Sequence, residues 1–354
     1  MLHTAPFRLL ATSVVTTTLF TASICQAHGD GILIDLDDWE RVKPRLEAGD
    51  ERLVEAKAAL IRAAEEAMGV PVRPITEGKS GGVRTAPSGD PRDYVSLSPY
   101  WWPNPDTDDG LPYIRHDGKV NPERYDYDTP KLGEMGSAVR TLGMAYLVTG
   151  DERYAERALE HIRPWFIDER TRMNPRVRYA QFVPGVSDGR CVGSIDTNRL
   201  RWVPDAMHML SESPAWTTED TAETKRWFGE YTDWLLSSEL GMEERGAENY
   251  HGTWYAAQVA YYASYADRDV VGRESVEQIP ERIAWQIEPD GSQPHELVRT
   301  IALHYCDFNL RAMLDLCRYA NGVGYDLASF ESEDGRSIKN ALLWVMPYMT
   351  GEKE

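Results

Sequence analysis

The sequence predicts an all-α protein in which antiparallel helix pairs form an incomplete (α/α) toroid, or open barrel, with long aromatic-rich loops. Three observations indicate this fold. From Lys131 onward, apolar residues recur at helical spacing with few interruptions. Strand-like alternation is scarce, and the segments between helices are rich in proline, glycine and aromatic residues. Helices that each carry one apolar stripe bury it against neighbouring helices, and joined antiparallel pairs do this with short connections.

The N-terminus is typical of an export signal. Arg8 precedes an apolar run from Leu9 to Ile24, and Cys25-Gln26-Ala27 ends in a small residue of the kind that a signal peptidase accepts. We therefore expect a signal peptide over residues 1–27, a single mature domain over 28–354, and a periplasmic or secreted protein. The apolar run is short for a membrane span. No other segment is long enough, so we expect no membrane association after signal removal.

The first part of the mature chain combines a helix with long loops. Helical spacing runs from about Leu53 to Ala67, and the proline-, glycine- and serine-rich residues 70–93 predict a loop. Prolines then exclude a regular helix over Tyr94–Pro105. The aromatic residues of this stretch either pin the loop to the core or form a wall of sugar-binding subsites: Tyr100, Trp101 and Trp102.

The remainder is predicted to be helical except for a loop over residues 171–195. We expect Gly150 to end one helix and Asp151 to cap the next. Periodic apolar residues predict helices at about 132–150, 154–166, 197–212, 218–239, 252–266, 274–287, 295–320 and 336–348.

Charge and composition exclude some functions. The formal net charge of −19 has the wrong sign for a nucleic-acid-binding protein. It also opposes a polyanionic ligand unless Arg, Lys and His line one cleft, where the local field decides. The chain has eleven Trp and eighteen Tyr but only seven Phe. This excess of amphipathic rings suits stacking on sugars, although compositional drift would explain it equally well.

Two stretches carry the side chains that remove a proton next to a carboxylate. The first runs from Asn249 to Tyr255 and the second from Asp290 to Tyr305. Arg and Asn can neutralise the carboxylate, whereas His and Tyr can move protons. We therefore identify four catalytic candidates: Asn249, His251, Arg299 and Tyr305.

Each candidate also has a purely structural interpretation. Asn249 would cap a helix and His251 would lie at the surface. Arg299 and Tyr305 are six positions apart, which is about 240° around a straight helix, so they share a site only if the helix begins close to Arg299. An adjacent cation would lower the pKa of Tyr305 and favour a phenolate base.

Other chemistries have weaker support. The sequence has no glycine-rich phosphate loop, no His-Glu-x-x-His and no Gly-x-Ser-x-Gly. His251, His295 and His304 lack the spacing of helical zinc ligands, so we expect no metal and no cofactor. Carboxylates near the loops leave a glycoside hydrolase on the same scaffold open, and a periplasmic protein that binds uronate oligosaccharides is a third possibility.

Four stretches resemble the alginate lyase superfamily, most closely polysaccharide lyase family 38 (alginate and glucuronan lyases) and more distantly the family 5 alginate lyases. They are Tyr94–Pro105 with the following Gly110–Arg115, Asn174–Gln181, Asn249–Tyr255 and Asp290–Leu310. The resemblance implies an incomplete toroid that acts by β-elimination on an acidic polysaccharide, without a metal.

The resemblance also implies residue roles. His251 corresponds to the catalytic His, Tyr305 to the catalytic Tyr and Arg299 to the assisting Arg. Family 5 enzymes place the carboxylate-neutralising Asn directly before the His, where this chain has Tyr250. The neutralising residue is therefore Asn249 or another Asn such as Asn174.

The implied substrate is a β-1,4-linked polyuronate, either glucuronan or the polymannuronate of alginate. In β-mannuronate and β-glucuronate, H5 and the C4 oxygen lie on one side of the ring, so Tyr305 would act first as base and then as acid. In guluronate they lie on opposite sides, so His251 would be the base and Tyr305 the acid. The predicted substrate-binding residues are Tyr100, Trp101, Trp102, Asn174, Gln181, Trp254 and Tyr255.

Overall fold

Helices dominate the computed structural model, which describes residues 32–34, 36–79 and 85–353. The signal peptide predicted for residues 1–27 lies outside these ranges and stays a prediction. The α-helices are α1 (Leu36–Glu47), α2 (Glu51–Met68), α3 (Thr129–Thr149), α4 (Glu152–Phe166), α5 (Val203–Leu210), α6 (Thr218–Ser237), α7 (Glu239–Arg245), α8 (Tyr250–Tyr265), α9 (Asp269–Glu277), α10 (Ile279–Gln286), α11 (Pro294–Leu297), α12 (Ala302–Gly322) and α13 (Ile338–Met349). The predicted all-α class is confirmed.

Short strands and 3-10 helices occupy the loops. Strand β1 (Val95–Leu97) pairs in parallel with β4 (Tyr179–Phe182), and β2 (Trp101–Trp102) pairs antiparallel with β3 (Ile114–Arg115). The 3-10 helices cover Pro122–Asp126 and Cys191–Leu200. The predicted loops thus contain short ordered pieces that bring distant parts of the chain together at one end of the helices.

Helix α8 is the centre of the molecule. Nearly all of it is buried, and it packs against α6, α9 and α12. A helix that is apolar on every side is stable only in a protein interior. Two of its buried hydroxyls find carbonyl acceptors: Tyr255 Oη donates to Leu235 at 2.9 Å and Tyr262 Oη to Thr197 at 2.6 Å. This helix therefore gives the site at its N-terminal end a rigid support.

Helix α3 is the second buried helix and packs against α2, α4 and α5. Two glycines allow its close contacts. A Cβ at Gly136 would lie 2.7 Å from the carbonyl oxygen of Arg199, and one at Gly143 would lie 3.0 Å from the Cβ of Ala206. Alanine at Gly136 would require the backbone at Arg199 to move.

The predicted helix 295–320 is wrong in one respect, because it is two helices. Helix α11 ends at Leu297 and α12 begins at Ala302, so Arg299 lies in the irregular segment between them. The side chain and backbone N–H of Thr300 in this segment donate to Asp117, 183 residues earlier in the chain. A tertiary contact therefore stabilises a break that the apolar periodicity does not reveal.

Other boundaries differ by local causes. The helix predicted at 274–287 begins at Asp269 and divides into α9 and α10, because Pro280 in the first turn of α10 cannot continue the preceding helix. The helix predicted at 197–212 is a 3-10 helix followed by α5. None of the described helices is long and apolar enough to cross a bilayer.

Buried ion pairs fix the loops. Lys79 is buried and its Nζ lies 2.5 Å from Asp128 and 2.5 Å from the carbonyl oxygen of Asp93. Asp128 also accepts the N–H of Val95 at 2.9 Å. Because these groups satisfy one another, Lys79 and Asp128 can both be buried beside β1.

Candidate active site

One cleft lies where the aromatic loop meets the N-terminal ends of α8 and α12. All four catalytic candidates line it: Asn249, His251, Arg299 and Tyr305. They come from two helices and the segment between α11 and α12, and the loop before α3 forms the opposite wall. The N-terminal ends of helices carry partial positive charge, which suits an anionic ligand.

Asn249 is the N-cap of α8. Its Oδ1 accepts the backbone N–H of His251 at 3.1 Å. The cap uses the side-chain oxygen only, so the NH₂ group of Asn249 is left as a donor at the cleft. The predicted capping role is confirmed, and it is compatible with a role toward a ligand. Glu296, which is buried, accepts the next free N–H of the helix, that of Tyr250, at 2.7 Å.

His251 is held by a carboxylate. Its Nδ1 lies 2.6 Å from Oε1 of Glu244 in α7, and Glu244 is 1% exposed. A carboxylate can only accept, so Nδ1 carries the proton and Nε2 of the neutral ring has a free lone pair. Glu244 is not among the residues predicted from the sequence, because a glutamate in a charged helix carries no local signal of burial.

Tyr305 lies on the first turn of α12 among other polar groups. Arg299 Nη2 donates to its hydroxyl at 2.8 Å, and the hydroxyl of Tyr100 lies 2.6 Å from it. The ring of Tyr250 stacks against that of Tyr305, with centroids 5.1 Å apart. Arg299 and Tyr100 thus meet at one phenol oxygen, and Tyr250 packs on the ring that carries it.

The pKa of Tyr305 is raised above the usual value of a phenol. Burial is the main cause, the hydrogen bond with Tyr100 adds to it, and the charge of Arg299 opposes it. The expected effect of Arg299 is therefore present, but the expectation that it lowers the pKa overall is wrong for the free protein. Tyr305 is protonated when no ligand is bound.

Arg299 reaches Tyr305 because it does not lie on a helix. Its Nη2 and Nε also contact the carboxylate of Asp117, at 2.8 and 3.2 Å. Asp117 pairs in addition with Arg115 at 2.6 Å, and the two guanidinium groups hold the pKa of Asp117 well below its usual range. Asp117 was also missed, since it lies in a loop 182 residues from Arg299.

The cleft is cationic although the protein is acidic. Of the described residues that line it, five are arginines and one is a carboxylate, Asp196. Asp196 is buried and accepts from Ser96 at 2.6 Å, Tyr94 at 3.1 Å and Gln181 at 3.1 Å. The arginines are Arg115, Arg124, Arg190, Arg199 and Arg299. The predicted concentration of positive charge in one cleft is present.

Three of the predicted substrate-binding residues line the cleft: Tyr100, Trp101 and Gln181. Gln181 has a φ of 48°, which is unusual outside glycine. Its N–H donates to Ser96 Oγ at 2.8 Å, and this bond helps to hold the conformation. Trp102 is not among the lining residues, and its Nε1 donates to the carbonyl oxygen of Lys119 at 2.9 Å. Neighbouring residues of a strand face opposite sides.

The other three predicted substrate-binding residues lie outside the cleft lining. Asn174 donates to Asp93 at 2.7 Å and fixes the loop before β1. This position corrects the prediction and leaves Asn249 as the neutralising candidate. Trp254 is buried beneath Phe308, and Tyr255 is buried with its hydroxyl bound to a carbonyl. They lie one turn into α8, where the helix is surrounded by the core.

Three residues with aromatic rings line the cleft although they are not among the predicted site residues: Tyr250, His304 and Phe308. His304 is exposed and stacks on Phe308 with centroids 6.0 Å apart. His304 and Phe308 lie on the first two turns of α12, and Tyr250 is the first residue of α8. To place the α12 residues at the cleft, the sequence would have had to reveal where α12 begins. Among the described residues, no group of three or more His, Cys, Asp or Glu is arranged to hold a metal.

Most of the chain matches one known protein family. The family model described as "Alginate lyase" matches residues 80–354. The chain belongs to the alginate lyase family. It is therefore a polysaccharide lyase, and the hydrolase and the binding protein that the sequence left open are set aside. No protein in a search of curated proteins matches this lyase.

Solved structures support the same assignment. An alginate lyase from Bacteroides ovatus is 39% identical, with a TM-score of 0.85 over 90% of this chain and 83% of that chain. Alginate lyase A1-III from Sphingomonas species A1 is 17% identical, with a TM-score of 0.54 over 85% of this chain and 77% of that chain. The second likeness concerns the fold alone. Together with the helix packing, these matches confirm the predicted incomplete toroid for this lyase.

Proposed function

We propose that this lyase cleaves a β-1,4-linked polyuronate, glucuronan or the polymannuronate of alginate, by β-elimination. The reaction breaks the bond between C4 and the glycosidic oxygen and leaves a C4–C5 double bond on the new chain end. The observation that carries the proposal is the convergence of four side chains in one cationic cleft: Asn249, His251, Arg299 and Tyr305.

The first requirement of this reaction is to neutralise charge. Removal of H5 beside a carboxylate produces a dianion-like enolate, which is unstable in the absence of nearby donors. Arg299 and the NH₂ group of Asn249 are donors already fixed in place, the first by Asp117 and the second by its role as helix cap. A preorganised donor of this kind contributes on the order of 10²–10³ in rate.

The second requirement is proton transfer on the correct side of the ring. For β-mannuronate and β-glucuronate, Tyr305 takes H5 and returns a proton to the C4 oxygen. Tyr305 must then be ionised in the complex, and Arg299 at 2.8 Å from the phenol oxygen stabilises that charge. The hydroxyl of Tyr100, 2.6 Å from that of Tyr305, can take up the displaced phenol proton and release its own to solvent in the cleft.

A second candidate substrate is polyguluronate, and a specific observation favours it. The bond between Nδ1 of His251 and Glu244 leaves Nε2 as a ready base. Burial keeps Tyr305 protonated in the free enzyme and so ready to act as an acid. These protonation states fit an elimination in which base and acid act on opposite sides of the ring.

One experiment distinguishes the substrates. The enzyme is incubated separately with glucuronan, polymannuronate and polyguluronate, and the ultraviolet absorbance of the new double bond is followed. We expect a rise with glucuronan or polymannuronate. We expect Tyr305→Phe to abolish this rise while substrate binding persists, because the proton carrier is removed and the ring remains.

The matched control is Tyr113→Phe. The hydroxyl of Tyr113 donates to Glu123 at 2.8 Å, and Tyr113 is not a lining residue of the cleft, so this variant keeps its activity. Full activity in Tyr305→Phe would remove Tyr305 from the mechanism. A rise with polyguluronate alone would select the second candidate.

A further inference from the structure

A second groove is joined to the cleft. It lies between α2 and α3, and we call it the α2–α3 groove. Arg124 and Arg199 line both the cleft and this groove, so the two spaces meet at these side chains. The other walls include Ala63 of α2 and Ser137 of α3. The reaction proposed above does not involve this groove.

The groove is long enough for more than one sugar ring. Its lining positions on α3 extend from Thr129 to Thr141. At about 1.5 Å per residue, this is a length of roughly 18 Å. The lining positions on α2 extend from Ala63 to Val70, so both helices form continuous walls. A polymer that runs from the cleft past Arg124 and Arg199 would therefore lie between these two walls.

Arg199 is built into the junction. Its guanidinium lies against α3 at Gly133, where a Cβ would be 3.2 Å from Nη1. A side chain at position 133 would crowd the guanidinium. Arg199 is exposed, and it forms no ion pair within the part of the chain that the structure describes. Its charge is therefore available to an anion entering the groove.

Arg124 supplies the second charge. Its Nε is buried and has no hydrogen-bond partner among the described residues. A buried donor without a partner is costly unless a ligand or water satisfies it. Next to it, Tyr125 is 63% exposed and lines the groove. An exposed aromatic ring beside two arginines suits a sugar that carries a carboxylate.

Two carboxylates also line the groove, and they limit the attraction. Glu134 is paired with Arg73 at 3.3 Å, which offsets part of its charge. Glu66 lies on the α2 wall. The net attraction for an anionic chain is thus concentrated at the junction, where Arg124 and Arg199 stand.

We infer that the α2–α3 groove binds further uronate units of a longer substrate chain, with Arg124 and Arg199 contacting the carboxylate of the unit at the junction. This inference rests on the proposed function. It makes the groove a determinant of chain length, because a short oligosaccharide fills the cleft and only a longer one reaches α3. The catalytic efficiency therefore rises with chain length until the groove is filled.

Opposite charges placed at one groove position test this. Ser137 is exposed on α3 and lines the groove. The measured quantity is the ratio of kcat/KM for a polyuronate to kcat/KM for a trisaccharide of the same sugar. We expect Ser137→Glu to lower this ratio about two- to fivefold and Ser137→Lys to raise it similarly, as for one partly exposed charge pair. Both effects shrink at high salt.

The controls are Ser237→Glu and Ser237→Lys. Ser237 is exposed at the end of α6 and does not line the groove, so neither control changes the ratio. The inference is overturned if the two Ser137 variants leave the ratio unchanged or shift it in the same direction. Failure of the proposed function has a different signature, because the wild-type enzyme would then form no ultraviolet-absorbing product from any polyuronate.

Discussion

The contact between Glu244 and His251 gives the site its most specific single interaction. The carboxylate is 1% exposed, so its attraction for the imidazole N–H acts in a region of low dielectric constant. It fixes the ring orientation and the tautomer, and it stabilises the imidazolium that forms if His251 accepts a proton. Glu244 is thus a positioning residue for His251.

Replacement of Glu244 by Gln tests this role. The amide can still bond to Nδ1 but no longer stabilises positive charge on the ring. A positioned proton-transfer group contributes about 10²–10⁴ in rate, so where His251 is the base, as proposed for polyguluronate, we expect kcat to fall about 10–100-fold with KM little changed. Steady-state kinetics on polyguluronate measures this. The neighbouring exposed Glu243→Gln is the control, and equal kcat values for the two variants would contradict the role of Glu244.

For single residues, the sequence indicates the catalytic candidates better than it indicates the residues that hold them in position. The sequence could single out four candidates that meet in one cleft, because elimination beside a carboxylate requires those side-chain types and because the stretches around them resemble a known family: Asn249, His251, Arg299 and Tyr305. Glu244 and Asp117 act only through contacts made after folding, the second across 182 positions. Single-sequence patterns contain no information on such pairs.

Among the elements, α8 and α12 are joined by a buried amide network. Asn309 of α12 donates to Gln293 at 2.9 Å and to Gln286 at 3.4 Å. Gln286 in turn donates to the carbonyl oxygens of Glu248 and Asn249, both at 3.0 Å. The network links the start of α8, which carries His251, to the helix that carries Tyr305, and so it helps to set the distance between these two side chains.

Removal of this link should cost stability. In Asn309→Leu the oxygen of Gln293 loses its buried donor, and an unpaired buried acceptor costs about 1–3 kcal/mol. We expect the free energy of unfolding in urea to fall by this amount. Asn321→Leu, at an exposed position of the same helix, provides the comparison. If both variants unfold at the same urea concentration, the network contributes no stability.

The elements themselves were predictable where apolar periodicity is strong. The predicted helix at 252–266 is α8 at 250–265, since every face of it is apolar or aromatic. The break at Arg299 was not predictable, because Leu297 and Ile301 continue the apolar pattern and the bonds to Asp117 that help to stabilise the irregular backbone come from a distant part of the chain. The pairing of β1 with β4 likewise joins segments that read as loops.

At the scale of the whole molecule, a buried carboxyl ties the described N-terminal segment to the helices. Asp205 of α5 accepts the backbone N–H groups of Ile32 and Leu33, at 2.5 and 3.1 Å. Burial raises the pKa of Asp205 to about 7, although these bonds oppose the rise. The folded protein therefore binds a proton here that the unfolded chain, with a carboxyl pKa near 3.9, has already lost.

This difference predicts how stability depends on pH. Because the pKa of Asp205 is higher in the folded protein, its contribution to the free energy of unfolding is fully present below about pH 4. That contribution is lost as pH rises through about 7, by at most about 4 kcal/mol. In Asp205→Asn this titration is absent, so we expect a shallower decline. Urea unfolding between pH 4.5 and 8 measures both slopes. Identical slopes in the two proteins would show that Asp205 does not titrate in this range.

The uneven charge of the molecule affects where acidic polymers bind and how their fragments leave. With a net charge of −19, most of the exterior pushes acidic polymers away, and the arginine-lined opening is where they are drawn in. Non-productive binding of polymer elsewhere on the surface is therefore suppressed. Anionic product fragments that leave the opening are repelled by the surrounding surface. Low ionic strength should preserve this electrostatic preference for the opening, whereas high ionic strength should screen it.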